Sequence, residues 1–294
     1  MINISSFYKF VEIKDLLNLK SDFKKFLENY KIKGNIILSL EGINGTISGE
    51  KNNLDSFFLY SKKKLNISKF DVINESISKS SPFKRLKIKL KNEVVPINEL
   101  VEKDFLNNNK IEPKDWNKFI LEKDVQLIDI RKDFEIEIGS FKNSINPKVK
   151  DFRKFPEYFK KINNKKTKIA MYCTGGIRCE KVSSYLKKRG FDKIYQLKGG
   201  ILNYLNSVEK KNSLWQGECF VFDDRVTVMH GSKVGSYMIC GGCRSPIKKS
   251  EELSMYYEKG VTCPKCFSSK SEEQKKKFRM REKQKNVKEI FASS

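Results

Sequence analysis

The stretch MYCTGGIRCEK, residues 171–181, joins a predicted strand to a predicted helix through a glycine-containing turn. The strand over Lys168–Tyr172 is of the buried, apolar kind, and the helix over Glu180–Arg189 ends at Gly190. In that geometry the N–H groups of the turn point inward, and the helix N-terminus adds a partial positive charge. Both effects stabilise an anion, so we expect the pKa of the Cys173 thiol to lie below the ~8.5 of a free thiol.

Cys173 is therefore the candidate catalytic residue. Arg178 adds a fixed positive charge, and four residues separate it from Cys173. The related phosphate-binding loop of protein phosphatases has five residues between its cysteine and its arginine, one more than this loop. The shorter loop suits a persulfide sulfur better than a phosphoryl group. The residues of the loop are Thr174, Gly175, Gly176, Ile177 and Arg178. Cys179 is a candidate second thiol, with simple packing in the core as the alternative.

The sequence around this loop alternates between strands and helices over residues 121–213, which predicts a parallel α/β sheet. A second continuous apolar strand is predicted over Val125–Ile130. Residues 96–120 are interpreted as a linker, because Pro96 and Pro113 punctuate them. A length of 294 residues, at roughly 100–200 residues per domain, allows two or three domains.

Residues 1–95 show the order β-α-β-β-α-β, which is typical of a ferredoxin-like domain, and one further strand follows these six elements. The glycine-rich segment 41–45 is expected to form a turn between two of its strands. The predicted strands are Tyr8–Ile13, Ile36–Leu40, Thr46–Ser48, Phe70–Ile77 and Leu86–Val94, and the predicted helices are Asp15–Tyr30 and Asn53–Lys64.

Residues 214–270 contain two CxxC pairs with nineteen residues between them. This spacing is typical of a structural zinc site with four thiolate ligands, whereas a thioredoxin-like redox CxxC needs a βαβ context that is missing here. The expected metal ligands are Cys240, Cys243, Cys263 and Cys266. Residues 271–294 form a basic tail, for which a solvated or frayed helix is the simplest interpretation.

The chain carries 60 Lys and Arg against 36 Asp and Glu, a formal net charge of +24. Such a balance favours a polyanionic partner, because neutralised phosphates release counterions. The alternative is AT-rich coding, which raises the Lys content of a chain without regard to its partners.

Several classes of protein are excluded. With a single histidine, His230, the chain has neither a two-histidine iron site nor an HExxH zinc protease motif. GxGxxG and GxxxxGK[ST] motifs are also missing from the sequence. No apolar run approaches the ~20 residues of a membrane helix, and no signal pattern begins the chain. We therefore expect a cytoplasmic protein with no membrane partner.

Two further blocks resemble the rhodanese superfamily. Leu127–Arg131, followed by Glu135 and then Ile138-Gly139, looks like its N-terminal signature, and Tyr195–Ile201 looks like its late strand and glycine turn. The resemblance implies a rhodanese-like domain in which Cys173 forms a persulfide. The chain departs from the signature at Ser140, where His is usual, and this affects local packing more than catalysis.

The order of the modules is similar to that of the rhodanese-related tRNA wobble-uridine hydroxylases. The blocks that carry the resemblance are EGINGT (41–46), CTGGIRCEK (173–181), GECFVFDDRV (217–226) and the two CxxC pairs. The resemblance as a whole covers about residues 5–270, most of the chain. The resemblance implies oxygen-dependent hydroxylation of the wobble uridine at C5, with tRNA and not DNA as the partner. Gly42, Asn44 and Gly45 are then the candidate RNA-binding residues.

A reactive thiol is the only chemistry for this reaction that the residues themselves indicate. Molecular oxygen would be a co-substrate, and no flavin or haem site is evident from the sequence. We hypothesise that Cys173, as thiolate or persulfide, attacks the uracil ring at C6. Two other functions stay open: a sulfurtransferase that passes persulfide sulfur to a thiol or to tRNA, and a non-enzymatic RNA-binding scaffold. The sequence does not indicate a protein partner.

Overall fold

The computed structural model describes the backbone of residues 1–98 and 109–293, with side chains as far as residue 285. Two units divide the chain: Met1–Asp224 with Met229–Lys233, and Arg225–Val228 with Val234–Ser294. Among the described residues, no helix is both long enough and apolar enough to span a membrane.

Residues 2–90 form the predicted ferredoxin-like domain. Its elements are β1 (Ile2–Phe10), α1 (Leu16–Asn29), β2 (Lys33–Ser39), β3 (Gly42–Gly49), α2 (Lys51–Leu65), β4 (Val72–Ser78) and β5 (Leu86–Leu90). The strand order across the sheet is β4-β1-β3-β2-β5. All neighbours are antiparallel except β2 and β5, so β5 extends the sheet as a parallel edge strand.

Alternation along the strands gives this sheet two different faces. Ile36, Leu38, Ile43 and Ile47 are fully buried in a core that they share with α1 and α2. The helices contribute apolar residues at helical spacing to this core. These are Leu19, Phe23, Leu27, Leu54 and Phe57. The strand residues in between are mostly polar, so the face away from the helices is polar.

The glycine-rich segment 41–45 is not the predicted turn. The chain turns at Leu40–Glu41, and β3 begins at Gly42. Gly42 has a φ of +148°, and a Cβ at this position would lie 2.1 Å from the carbonyl oxygen of Lys9 on β1. The glycine is needed because two backbones approach closely, which is a requirement of strand pairing that resembles a turn signal in the sequence.

Residues 110–220 contain the predicted parallel α/β domain. Its elements are β6 (Lys110–Ile111), α3 (Pro113–Ile120), β7 (Val125–Asp129), α4 (Asp133–Ile138), β8 (Gly139–Phe141), α5 (Phe155–Phe159), β9 (Lys168–Tyr172), α6 (Ile177–Lys188), β10 (Ile194–Leu197), α7 (Gly200–Ser207), β11 (Trp215–Gly217) and β12 (Cys219–Phe220). The main sheet has the order β6-β10-β9-β7, and its pairs are parallel. Strand β9 is therefore central, with the cysteine loop at its carboxyl end.

The predicted linker, 96–120, contributes two elements to this domain. Strand β6 pairs in parallel with Gln196 and Leu197 of β10, and Trp116 of α3 is fully buried. Residues 99–108 lie outside the described residues. The parallel sheet thus begins at Lys110, and the linker boundaries stay a prediction.

Helix α6 joins the two domains of the first unit through buried ion pairs. The Nζ of Lys181 lies 2.6 Å from a carboxylate oxygen of Glu41 and 2.8 Å from one of Glu93, and the Lys181 side chain has no exposed surface. The neighbouring Glu180 accepts a hydrogen bond from the Tyr8 hydroxyl at 3.5 Å and pairs with Lys110 at 2.5 Å. These contacts hold the polar face of the first sheet beside the cysteine loop.

The second unit contains short strands and one long helix. Its elements are β13 (Thr227–Val228), β14 (Tyr237–Ile239), β15 (Pro246–Lys248) and α8 (Glu272–Ser293). Helix α8 carries the predicted basic tail. Arg279 donates two hydrogen bonds of 2.6 Å to Glu258, and Arg281 donates to the carbonyls of Gly241 and Gly260. The described part of the tail is therefore attached to its own unit and not simply solvated.

Replacement of Lys181 is expected to destabilise the protein strongly. Lys181→Met leaves two carboxylates buried without their cation, which costs about 3–5 kcal/mol in the free energy of unfolding. Lys24→Met is the matched control, because Lys24 and Glu28 form a pair that is more than half exposed. This pair contributes about 0–1 kcal/mol. Urea denaturation of the full chain measures both, and an equal cost would contradict the role given to Lys181.

Candidate active site

Cys173 follows the last residue of β9 directly, and its loop leads into α6. Gly176 caps the helix with a φ of +101°, a conformation that favours glycine. Its N–H donates a hydrogen bond of 3.1 Å to the Cys173 Sγ. The carbonyls of Cys173 and Thr174 accept hydrogen bonds from the first turn of α7, at 2.9 and 3.1 Å. Backbone contacts on both sides therefore fix the loop.

The surroundings of Cys173 favour its thiolate. Burial opposes ionisation, but hydrogen bonds from the Cys179 thiol and from the amides of Cys179 and Gly176, together with the charge of Arg178, lower the pKa of Cys173 to about 6. Burial raises the pKa of Cys179 well above its ordinary value, and the neighbouring Cys173 raises it further. Cys179 is thus a protonated hydrogen-bond donor in this arrangement.

Arg178 is held by a carboxylate from α4. Its Nη1 and Nη2 donate to the two oxygens of Glu135 at 2.7 and 2.9 Å, and Nη2 also donates to the Thr174 hydroxyl at 3.0 Å. Glu135 is fully buried. Burial opposes its ionisation, but the charge of Arg178 keeps the pKa of its carboxyl below the usual value. The bidentate pair therefore positions a cation beside Cys173.

A second buried pair supports the first. Arg131 donates to both oxygens of Asp129, at 2.9 and 2.6 Å, and also to the carbonyls of Glu135 and Gly139. These residues belong to the signature block identified in the sequence. Ser140, where the signature usually has His, lies in β8 opposite Gln216 of β11.

A cavity of about 690 Å³ lies between the cysteine loop and the polar face of the first sheet. Thr174, Gly175, Ile177 and Arg178 contribute to its lining. The Cys173 side chain itself has no exposed surface. The sulfur is therefore not part of the cavity surface, and a substrate in the cavity meets the neighbours of Cys173 first.

The three candidate RNA-binding residues differ in position. Asn44 and Gly45 line the cavity, while Gly42 lies at the start of β3 and is not among the lining residues. The structure thus brings part of this motif and the cysteine loop to the same cavity.

The four cysteines of the CxxC pairs come together in the second unit. Their Sγ atoms all lie within 4.8 Å of one another, with separations of 4.0 Å for Cys240–Cys266 and 3.8 Å for Cys243–Cys263. Thiolates at about 2.3 Å from a tetrahedral zinc ion have nearly these separations, so the donor set fits zinc. Such a site is closed, and the ion would stabilise the fold without binding substrate.

Each of the two domains of the first unit matches a known family model. The family model of the UPF0176 acylphosphatase like domain matches residues 2–94, and that of the Rhodanese-like domain matches residues 112–207. A relative from Pelagibacter ubique (strain HTCC1062), a tRNA uridine(34) hydroxylase, is 49% identical over 288 residues, which make up 98% of this chain and 95% of the relative. The chain belongs to the tRNA uridine(34) hydroxylase family.

Solved structures also resemble part of the chain. A rhodanese-related protein from Thermoplasma volcanium is 26% identical, with a TM-score of 0.28, and the match covers 33% of this chain and 90% of that one. A rhodanese-like domain protein from Staphylococcus aureus is 29% identical, with a TM-score of 0.29 and the same two coverages.

Sequence reasoning missed the residues that the first domain of this hydroxylase family member brings to the cysteine loop. A Cβ on Gly176 would lie 3.1 Å from the Tyr8 hydroxyl, and Asn74 donates to the Gly199 carbonyl at 2.8 Å. The signal that could have found them is the alternation on β1–β5, where polar residues recur on one face.

The alkylation rate of Cys173 by iodoacetamide is expected to inflect near pH 6, because the thiolate is the reacting form. Cys179→Ala removes a hydrogen bond to the thiolate, so the inflection should move toward the ~8.5 of a free thiol. Cys219→Ala, at a buried cysteine outside the loop, should leave the profile unchanged. Peptide-resolved mass spectrometry measures the rates. An inflection near the free-thiol value in the unmodified protein would contradict the stabilised thiolate.

The purified protein is expected to contain zinc bound by the four-cysteine cluster. Cys240→Ser and Cys263→Ser should each lose the metal, because three thiolates hold it far less tightly than four. Cys219→Ser is the control and should retain it. Atomic emission gives the zinc content, and limited proteolysis shows whether the second unit unfolds. Retention of stoichiometric zinc by both ligand variants would overturn the assignment.

Proposed function

We propose that this protein hydroxylates C5 of the wobble uridine in tRNA and produces 5-hydroxyuridine. The observation that carries the proposal is the nearly full-length match to a relative named tRNA uridine(34) hydroxylase. The site supports it with a stabilised thiolate and a cavity large enough for a nucleotide. The enzyme would act in the cytoplasm, where its tRNA substrate is found.

Cys173 would act as a nucleophile. Addition of its thiolate to C6 of uracil moves the electron pair of the C5–C6 double bond onto C5 and the C4 carbonyl. C5 then becomes nucleophilic and can take up oxygen. Loss of the C5 proton and expulsion of the thiolate from C6 restore the double bond, so the cysteine is regenerated.

Molecular oxygen would be the oxidant. One oxygen atom enters at C5 and the other leaves as water, so a reductant must supply two electrons in each cycle. The four-thiolate cluster would not take part, because zinc bound by four cysteines is redox-inert and has no open position.

Burial of Cys173 constrains how it reaches the ring. The thiolate meets C6 only if the loop residues that line the cavity move, since the Cys173 side chain has no exposed surface. A persulfide adds one S–S bond of about 2 Å to the side chain and reduces the movement needed. If a sulfane-sulfur donor first charges Cys173, the outer sulfur of the persulfide would take the place of the thiolate in the same addition to C6 and would be expelled again as the persulfide.

Sulfur transfer is the second candidate function. The four-residue spacing between Cys173 and Arg178 and the buried, stabilised sulfur also suit a persulfide carrier. Sulfur transfer alone leaves the polar face of the first domain, which lines the same cavity, without a role.

Nucleosides of tRNA from cells that lack the protein distinguish these functions. We expect 5-hydroxyuridine to be missing and to return with the unmodified chain, whereas Cys173→Ala should restore less than about 1% of it, as expected for loss of a nucleophile. Cys219→Ala, which changes a buried cysteine outside the cysteine loop, should restore it fully. Mass spectrometry of digested tRNA measures the products.

Each contrary result has a distinct meaning. Full restoration by Cys173→Ala would exclude the nucleophilic mechanism. Loss of a thiouridine in place of 5-hydroxyuridine would indicate sulfur transfer, and an unchanged set of nucleosides would indicate a scaffold.

A further inference from the structure

The polar face of the first sheet carries an ordered set of side chains. Strand register places Asn74, Ser6, Thr46, Asn35 and Lys87 in one row across β4, β1, β3, β2 and β5. The next row contains Val72, Tyr8, Asn44, Ile37 and Lys89. All of them except Val72 line the 690 Å³ cavity. A face this polar in the interior of a unit indicates a polar ligand.

The cysteine loop covers one end of these rows. Tyr8 contacts Gly176, and a Cβ on Gly175 would lie 4.0 Å from the Asn74 amide nitrogen. The loop therefore lies over β1 and β4. The open part of the face begins at β3, with Asn44 directly opposite Tyr8, and continues over β2 to β5.

Two asparagines in the open part have uncommitted amides. Within residues 1–98 and 109–285, neither the Asn35 nor the Asn44 side chain forms a hydrogen bond, and both are half-buried. By contrast, Ser6 and Thr46 are bonded to each other at 2.9 Å. An asparagine amide offers a donor and an acceptor side by side, which is the pattern that binds the Watson–Crick edge of a base.

The ring geometry of uracil fits this arrangement. N3 lies opposite C6 in the ring. A uracil whose C6 faces the cysteine loop therefore points its N3–H edge away from that loop, toward β3 and β2. Asn44 and Asn35 lie on these two strands.

Lysines mark the far edge of the face. Lys87 and Lys89 are exposed on β5 and form no ion pair with any residue that the structure describes. Strand spacings of about 4.8 Å place β5 about 10 Å from β3, a distance that suits the phosphates on either side of a bound base.

An exposed aromatic ring lies beside the same cavity. Phe222 is 63% exposed and packs edge-on against Phe220, with ring centroids 5.1 Å apart. A ring so exposed in the lining of the cavity is a stacking surface for an unpaired base.

We propose that this face binds one unpaired uridine of the RNA, and this inference rests on the proposed function. Asn44, with Asn35 beside it, recognises N3–H and the adjacent carbonyl of uracil. Lys87 and Lys89 bind the flanking phosphates, and Phe222 stacks on a base. Asn44 is a specificity-determining residue.

Binding of anticodon stem-loop RNAs by the full chain, measured by fluorescence anisotropy, tests the assignment. One RNA carries uridine at the wobble position, and the other carries 3-methyluridine, which lacks the N3–H donor. The unmodified protein should prefer uridine by roughly 10-fold or more. Asn44→Ala should bind uridine roughly 10-fold more weakly and should reduce the preference to less than about 2-fold. Asn52→Ala, on the exposed side of α2, should change neither value.

Variants of Lys87, Lys89 and Phe222 are expected to change RNA binding in different ways. Lys87→Ala and Lys89→Ala should weaken the binding of both RNAs equally. Each should also reduce the slope of the logarithm of the binding constant against the logarithm of the salt concentration by about one unit. Lys25→Ala, on α1 and so on the opposite side of the sheet, should leave the slope unchanged. Phe222→Ala should lower the affinity for both RNAs by about 5-fold or more, whereas Phe222→Tyr should retain the affinity.

The results separate this inference from the proposed function. An undiminished preference for uridine in Asn44→Ala would overturn the inference, even if Cys173→Ala abolishes hydroxylation. Loss of the preference in Asn44→Ala, together with full hydroxylation by Cys173→Ala, would support the binding face and reject the nucleophile. Should Asn44→Ala fail to fold, an unchanged salt slope in the Lys87→Ala/Lys89→Ala double variant would overturn the inference.

Discussion

The bidentate pair between Arg178 and Glu135 is the interaction on which the site depends. Arg178 lies in the first turn of α6 and Glu135 in α4, and both are buried, so each needs the other as its counter-ion. Together with Asp129 and Arg131 they form two acid–base pairs whose charges cancel. The Cys173 thiolate is then the additional charge, and amide dipoles with the nearby guanidinium stabilise it. Loss of either partner would leave a buried charge without compensation.

Helix α6, which carries Arg178, also fixes the position of the first domain. Arg178 faces the loop, while Glu180 and Lys181, within one helical turn, bind residues of the first domain and of β6. A shift of α6 would therefore move the cysteine loop and the polar face of the first sheet relative to one another. The shape of the cavity depends on contacts that are ionic and buried, which resist small displacements because an unpaired buried charge is costly.

Net charge alone does not identify the surface that would bind RNA. A value of +24 is compatible both with a polyanionic partner and with coding bias. The two lysines of β5, Lys87 and Lys89, are more informative. They border a cavity next to the cysteine loop and have no carboxylate partner among the described residues. The long-range field would bring RNA to the protein, and these few side chains would position one nucleotide.

Local features were predictable because a few neighbouring residues suffice to define them. Strand β9 over Lys168–Tyr172, the cysteine turn and the clustering of the CxxC pairs follow from apolar runs, glycines and metal-ligand spacing. The prediction is wrong at segment 41–45, where the glycines allow close strand pairing and do not form a turn.

The sequence by itself determined the order of the elements, the position of the cysteine loop after β9 and the four clustered thiols. Only the tertiary structure decided which charges meet: Arg178 with Glu135 at a separation of 43 residues, and Lys181 with Glu41 at 140. It also decided that the polar face of the first sheet lies against the cysteine loop. The physical reason is that periodicity determines which face of a strand or helix is apolar, whereas packing between distant segments determines what that face meets.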